Sequence, residues 1–181
     1  MAELPNLSDG PEVRQDFACH TSGWPREIRR GFGTNPAGGQ SSQAIGRTKG
    51  GLNTKLCALV EGHGRLIGAV LAPGQMYEVE ASAPLLNTLK TVLLVGDKGF
   101  DADVLRQQML AQGCLACIPP RSGRRSPAWN HRGFYRQRHK IENFFQRIKV
   151  HKRVSTRYDK LALTFLNCIH VAAIFDWLKS F

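Results

Sequence analysis

Residues 92–95 read Val-Leu-Leu-Val, with no polar side chain to offer to water. A strand presents two faces, and a run without alternation needs cover on both. That demand fixes the layering: a sheet with helices packed on each side. Gly96 closes the run and Asp97 follows it.

The neighbouring segments supply the rest of such a sheet. TKLCALV and LIGAVLA are strand-like runs separated by EGHGR, and this spacing predicts a hairpin with a Gly-containing loop. Pro73-Gly74 ends it. Ser82 and Pro84 mark a helix start, with PLLNTLK as its body. Asp101 is placed to cap the helix DADVLRQQMLAQ, which stops at Gly113. LACI predicts another short strand, stopped by Pro119-Pro120, and the basic loop RSGRRSPAWN follows. One long helix is expected over 131–149, and a last one from an Asp159 cap to about Lys179. The order predicts an α/β fold: an antiparallel hairpin, then βαβ crossovers in a mixed sheet.

Residues 1–50 differ. They carry Pro5, Pro11, Pro25 and Pro36 and the stretch GFGTNPAGGQSSQ, with no apolar period. They read as a poorly ordered Gly/Pro-rich N-terminal segment, leaving 51–181 as the folded core. The length of 181 residues allows one domain of ordinary size.

Composition narrows the partners. Lys and Arg number 25 against 14 acids, a net charge of +11. An excess this large points to a polyanion, either nucleic acid or an anionic membrane surface. The longest apolar run, 161–175, is broken by Thr164, Asn167 and His170 and falls short of the roughly 20 residues of a membrane span. The N-terminus has neither a basic start nor an apolar stretch, so no signal peptide is expected. Five cysteines at 19, 57, 114, 117 and 168 form no disulfide framework, which suits a reducing compartment. The expectation is a cytoplasmic protein. Cys114-x2-Cys117 has no second Cys pair and no following His-x3-His, so it reads as buried strand and not as a zinc site.

Two acids stand where chemistry is done. Asp97 lies just past the carboxyl end of a buried strand, where open α/β sheets bind ligands. It is flanked by Gly96 and Gly99, and Gly-Asp-Lys-Gly is equally good turn chemistry. Glu142 lies on the basic helix. At 100° per residue, Tyr135, Arg138, Glu142 and Lys149 share one face, while Phe134, Ile141, Phe145 and Ile148 cluster beside it. Arg138 to Glu142 at i,i+4 also fits a plain salt bridge. Residues 121–160 hold thirteen Lys and Arg against only Glu142 and Asp159, a pattern suited to tracking phosphates.

The spacing Tyr135-x2-Arg138-x3-Glu142-x6-Lys149 resembles the signature of DDE transposases from bacterial insertion sequences of the four and five groups. QAIGRTKGGLNTKL, LAPGQ, GDKGFDAD, CIPPR, YRQRHKIENFF and TRYDK resemble the five group in the same order, over about residues 43–178. The resemblance implies an RNase H-like fold and metal-dependent DNA strand cleavage and transfer, that is, DNA transposition and recombination. It implies a two-metal site of Mg²⁺ or Mn²⁺, with Asp97 and Glu142 as catalytic metal ligands. It also implies DNA contacts from Tyr135, Arg138 and Lys149. The implied partner is double-stranded DNA, at insertion-sequence ends and target, bound by a homo-oligomer without any membrane, near the nucleoid.

Such a site takes a third carboxylate, following an apolar strand and trailed by a small hydroxyl residue. The acid at about the matching distance is Asp16, in QDFACHTSG, with no apolar strand before it and Phe17 after it. Asp9 lies further upstream in SDG. Residues 12–36 read like unrelated sequence joined to a family member. On this reading the sheet lacks its middle strand and its neighbours carry unpaired edges. The expectation is a transposase fragment weakly active or inactive alone. The alternative is a non-catalytic DNA-binding module that modulates a full-length transposase.

Overall fold

Strand β5 (Leu93–Gly96) sits inside the sheet, as its lack of polar residues requires, and all four of its residues are buried. In this computed structural model the described residues are 16–25 as backbone, 42–126 and 128–179. The other strands are β1 (Asp16–Pro25), β2 (Gly46–Thr48), β3 (Gly51–Val60), β4 (Leu66–Pro73) and β6 (Leu115–Cys117). They form one sheet in the order β2-β3-β1-β5-β6, with β4 also paired to β3. The β3–β4 and β1–β3 pairs are antiparallel, and β1–β5 and β5–β6 are parallel. The mixed α/β sheet expected from the order of elements is therefore present.

The expectation of loop through residues 1–50 is corrected at two places. Residues 16–25 form β1, and residues 46–48 form β2 on the margin of β3. The middle strand is not missing. β1 runs between β3 and β5, pairing Ala18 through Pro25 with Val60 through Asn53 and Asp16 through Cys19 with Leu93 through Gly96. DFACHTSGWP lacks the alternation of a half-buried strand, so its strand state comes from ladder hydrogen bonds on both flanks. Residues 1–15 and 26–41, Asp9 among them, lie outside the described residues.

Helices cover the sheet. α1 (Glu78–Leu86) begins earlier than Ser82 and carries Pro84 inside it. Ser82 is an interior residue whose hydroxyl donates to the Glu78 carbonyl at 2.8 Å. α2 (Asp103–Ala111) has Ala102 at its cap, so the expected Asp101 cap is corrected. It ends as expected at Gly113, whose φ of +75° suits a residue without Cβ. Leu86, Leu94, Phe100, Leu105, Met109 and Ile118 form the core on this side.

The expected single helix over 131–149 is three pieces: α3 (Arg132–Tyr135), a 3₁₀ turn (Arg136–Arg138) and α4 (His139–Ile148). α5 (Lys152–Ser155) and α6 (Ala162–Leu178) complete the chain. Asp159 does not cap α6; Leu161 holds that position, and Asp159 accepts from Arg153 at 2.6 Å. α4 packs Ile141, Phe144, Phe145 and Ile148 against Leu56, Phe165 and Ile169. Phe144, outside the apolar cluster read from the sequence, is fully buried, so the stripe is wider than that reading allowed. Among the described residues no helix is long and apolar enough to cross a membrane.

Candidate active site

β5 delivers Asp97 to the carboxyl edge of the sheet. The chain turns at once into a 3₁₀ segment (Lys98–Phe100), where the Phe100 N–H donates to the Asp97 carbonyl at 2.9 Å. This turn anchors on Phe100, which is buried under α2. The Asp97 side chain stays 26% exposed.

Glu142 reaches the same point from α4. The segment before it is seated by aromatic packing: Trp129, Phe134 and Tyr135 cover Leu93, Val95 and Cys117 of the parallel strands. The His131 ring lies 4.8 Å from that of Phe134 and caps α3 through its Nδ1. Glu142 lies in the first turn of α4. Its side chain is 42% exposed.

Arg138 joins the two acids. Its Nη1 lies 3.0 Å from Asp97 Oδ1 and donates to Glu142 Oε1 at 2.8 Å. Its guanidinium stands 5.6 Å from the centre of the Tyr135 ring. Burial alone would make Arg138 easier to deprotonate, but Asp97 and Glu142 outweigh it and hold the proton more firmly. Burial pushes the Tyr135 hydroxyl up from its ordinary value. The structure thus brings together Asp97, Tyr135, Arg138 and Glu142. Lys149 caps the far end of α4, exposed, about 10 Å along the axis from Glu142.

Asp16 is placed by its backbone. It pairs with Leu93, at the opposite end of β5 from Asp97, about 13 Å of strand away. The β1 position level with Gly96 is Cys19, and His20 follows it. Among the described residues, no three His, Cys, Asp or Glu side chains gather to hold a metal. Asp97 and Glu142 nevertheless suit Mg²⁺ or Mn²⁺ in kind, being hard oxygen donors that converge on one cationic nitrogen.

Asp101, expected only as a helix cap, is instead a structural support for the site. Its carboxylate accepts from the Arg106 Nε at 3.0 Å, the Arg124 Nη1 at 2.7 Å and the Arg121 backbone N–H at 2.8 Å. Burial would raise its pKa, but these donors outweigh burial and hold the carboxyl below its ordinary value. Arg121 also donates to the Lys98 and Gly99 carbonyls, at 3.2 and 2.6 Å. The CIPPR segment is thereby fastened to the turn that carries Asp97. The available signal was the matching charge of two segments, GDKGFDAD and CIPPR.

The basic stretch 121–160 divides into two sets. Arg124 is spent on Asp101 and Asp103, and Arg153 on Asp159. Arg147 forks onto Asp176, and Lys140 donates to the Gly62 carbonyl. Arg157 is 0% exposed, donates to Thr54 Oγ1 at 2.5 Å and lies over the Phe165 ring. Arg121, Arg147 and Arg153 keep these contacts while exposed, and Arg125, Arg132, Arg136, Lys149, Lys152 and Lys160 are exposed as well. The cysteines at 57 and 114 are buried, which pushes their thiols up to about 12 and about 11.

A buried parallel strand ending in an aspartate, with a glutamate brought beside it by the basic helix, matches two acids of the pattern expected of a DDE protein. The transposase DDE domain model matches residues 18–177, and the chain belongs to that family. It is 30% identical over 133 residues to the Brucella ovis protein assigned as the transposase for insertion sequence element IS6501, covering 71% of this chain and all of that protein. Among solved structures, the catalytic core domain of BIV integrase aligns with a TM-score of 0.50 at 11% identity, over 89% of this chain and 82% of that one. That likeness is one of fold, and the fold is RNase H-like.

Proposed function

We propose that this chain is the catalytic domain of an insertion-sequence transposase that cuts and joins DNA strands with divalent metal held by Asp97 and Glu142. The observation that carries the reading is the convergence of these two carboxylates on one cation at the carboxyl edge of the sheet. Bound there, Mg²⁺ or Mn²⁺ ions would activate the attacking oxygen and stabilise the leaving one. The protein's own part is to hold and aim. Asp97 is set by the buried end of β5, and Glu142 by the packed face of α4. Tyr135, Arg138 and Lys149 contact DNA near the cleaved strand, and the exposed cations track its phosphates. The working form is a homo-oligomer on insertion-sequence ends and target, in the bacterial cytoplasm.

A second reading, a DNA-binding module that modulates a full-length transposase, draws support from Asp16. Paired with Leu93, it begins a strand length away from Asp97, and a site short of its third carboxylate cleaves weakly or not at all. Mg²⁺-dependent nicking of the element's terminal inverted repeats separates the readings. Weak cleavage by the purified chain, abolished in Glu142→Gln with DNA binding kept or improved, supports the catalytic reading with a poor third ligand. Binding with no cleavage supports the module. Cleavage undiminished in Glu142→Gln reduces Glu142 to a salt-bridge residue, and robust cleavage by the unaltered chain removes the case for inactivity.

A further inference from the structure

A DNA contact alone does not explain where the Arg138 guanidinium sits. A helix salt bridge at i,i+4 needs only Glu142. Here the same Nη1 also reaches Asp97, on a different element and 41 residues away in sequence. One nitrogen within 3.0 Å of two carboxylates lies where their negative potentials add. The Tyr135 ring beside the guanidinium limits where it can swing. We infer that Arg138 is a built-in counter-cation: its guanidinium takes the place between Asp97 and Glu142 that a divalent ion would occupy, so the metal enters only by displacing it. The inference rests on the metal reading proposed above.

The charges support displacement over permanent closure. One guanidinium neutralises half of the two carboxylates' charge, whereas a divalent ion neutralises both. The group is also within reach of solvent, with Arg138 24% exposed, so exchange needs no opening of the core. A displaced Arg138 retains a long arm on the DNA-facing side of the helix, where a phosphate is a ready acceptor. Asp97 and Glu142 are thus kept from repelling each other until metal arrives.

The test is Mn²⁺ titration of the full chain by calorimetry, comparing wild type with Arg138→Gln, Glu142→Gln and the double variant. Arg138→Gln is expected to bind Mn²⁺ at least tenfold more tightly than wild type, and Glu142→Gln to lose that binding in either background. If Arg138→Gln binds no better than wild type while Glu142→Gln still loses the ion, the counter-cation role is overturned and the metal reading survives. If Glu142→Gln binds as wild type does, or no form binds, the metal reading falls and the inference with it. Should Arg138→Gln not fold, the wild-type Arg138 Nε–Hε resonance is followed during Mg²⁺ addition. It is expected to move as the site fills, and a resonance that stays fixed at saturation overturns the inference.

Discussion

Asp101 has a side chain only 1% exposed and three donors on its two oxygens. An isolated carboxylate at that depth would neutralise itself; with two guanidinium groups and a backbone N–H it stays charged. Its folded pKa is lowered from 3.8, so its contribution to stability is complete above the unfolded value and drains away as pH falls below about 4. Asp101→Asn should cost about 3 kcal/mol near pH 7, because it strands buried cations. The gap between wild type and variant in urea melts should then shrink between pH 6 and pH 3. A gap that does not change with pH would mean that the ionised form of Asp101 is not what supports the loop. Glu142 differs in kind: it is half in solvent, and its replacement should show in cleavage more than in melting.

At the scale of elements, α4 is the joint between core and site. Its apolar face buries Ile141, Phe144, Phe145 and Ile148, while its first turn presents Glu142. Phe144→Ala should cost about 3–5 kcal/mol through lost burial and a residual cavity. Because the same helix holds Glu142, activity in that variant should fall even at temperatures where it remains folded, as circular dichroism beside a nicking assay will show. α4 is also tied at its back: Arg147 forks onto Asp176 of α6 at 2.6 and 3.0 Å, and donates to the Gly64 carbonyl of the β3–β4 turn at 2.9 Å. The 3₁₀ turn ahead of α4 breaks the helix expected over 131–149 and still leaves Tyr135, Arg138 and Glu142 together. Helical spacing alone therefore gave the right face through a bend it could not foresee, since i,i+3 and i,i+4 neighbours survive a short change of pitch.

For the whole molecule, the net charge of +11 overstates the surface open to DNA. Of the thirteen cations in 121–160, seven are engaged with carboxylates, carbonyls or the core, three of them while exposed, and the other six are exposed too. If each meets one phosphate, log K against log salt for duplex DNA should have a slope of about −5. Arg136→Ala should flatten that slope by about one, and Arg157→Ala should leave the slope unchanged while lowering the melting temperature. A slope near the full cation count would mean that the engaged residues reach DNA after all.

Legible in the chain alone are the parts whose physics is local. A run of apolar residues had to be a buried strand, and so Asp97 had to stand at its edge. A fixed rotation per residue had to set Arg138 beside Glu142. Six motif segments in order carried the resemblance to the family. Tertiary structure decided whatever depends on partners far along the chain. β1 is a strand because β3 and β5 flank it, although its own residues lack the pattern. Arg157 is buried because Thr54, 103 residues away, meets its guanidinium. Asp101 is a clamp because the CIPPR loop folds back on it, and Arg138 bridges two carboxylates because β5 and α4 end at one point. Periodicity and composition describe a residue's near neighbours, and only closure of the chain brings distant charges within reach of each other.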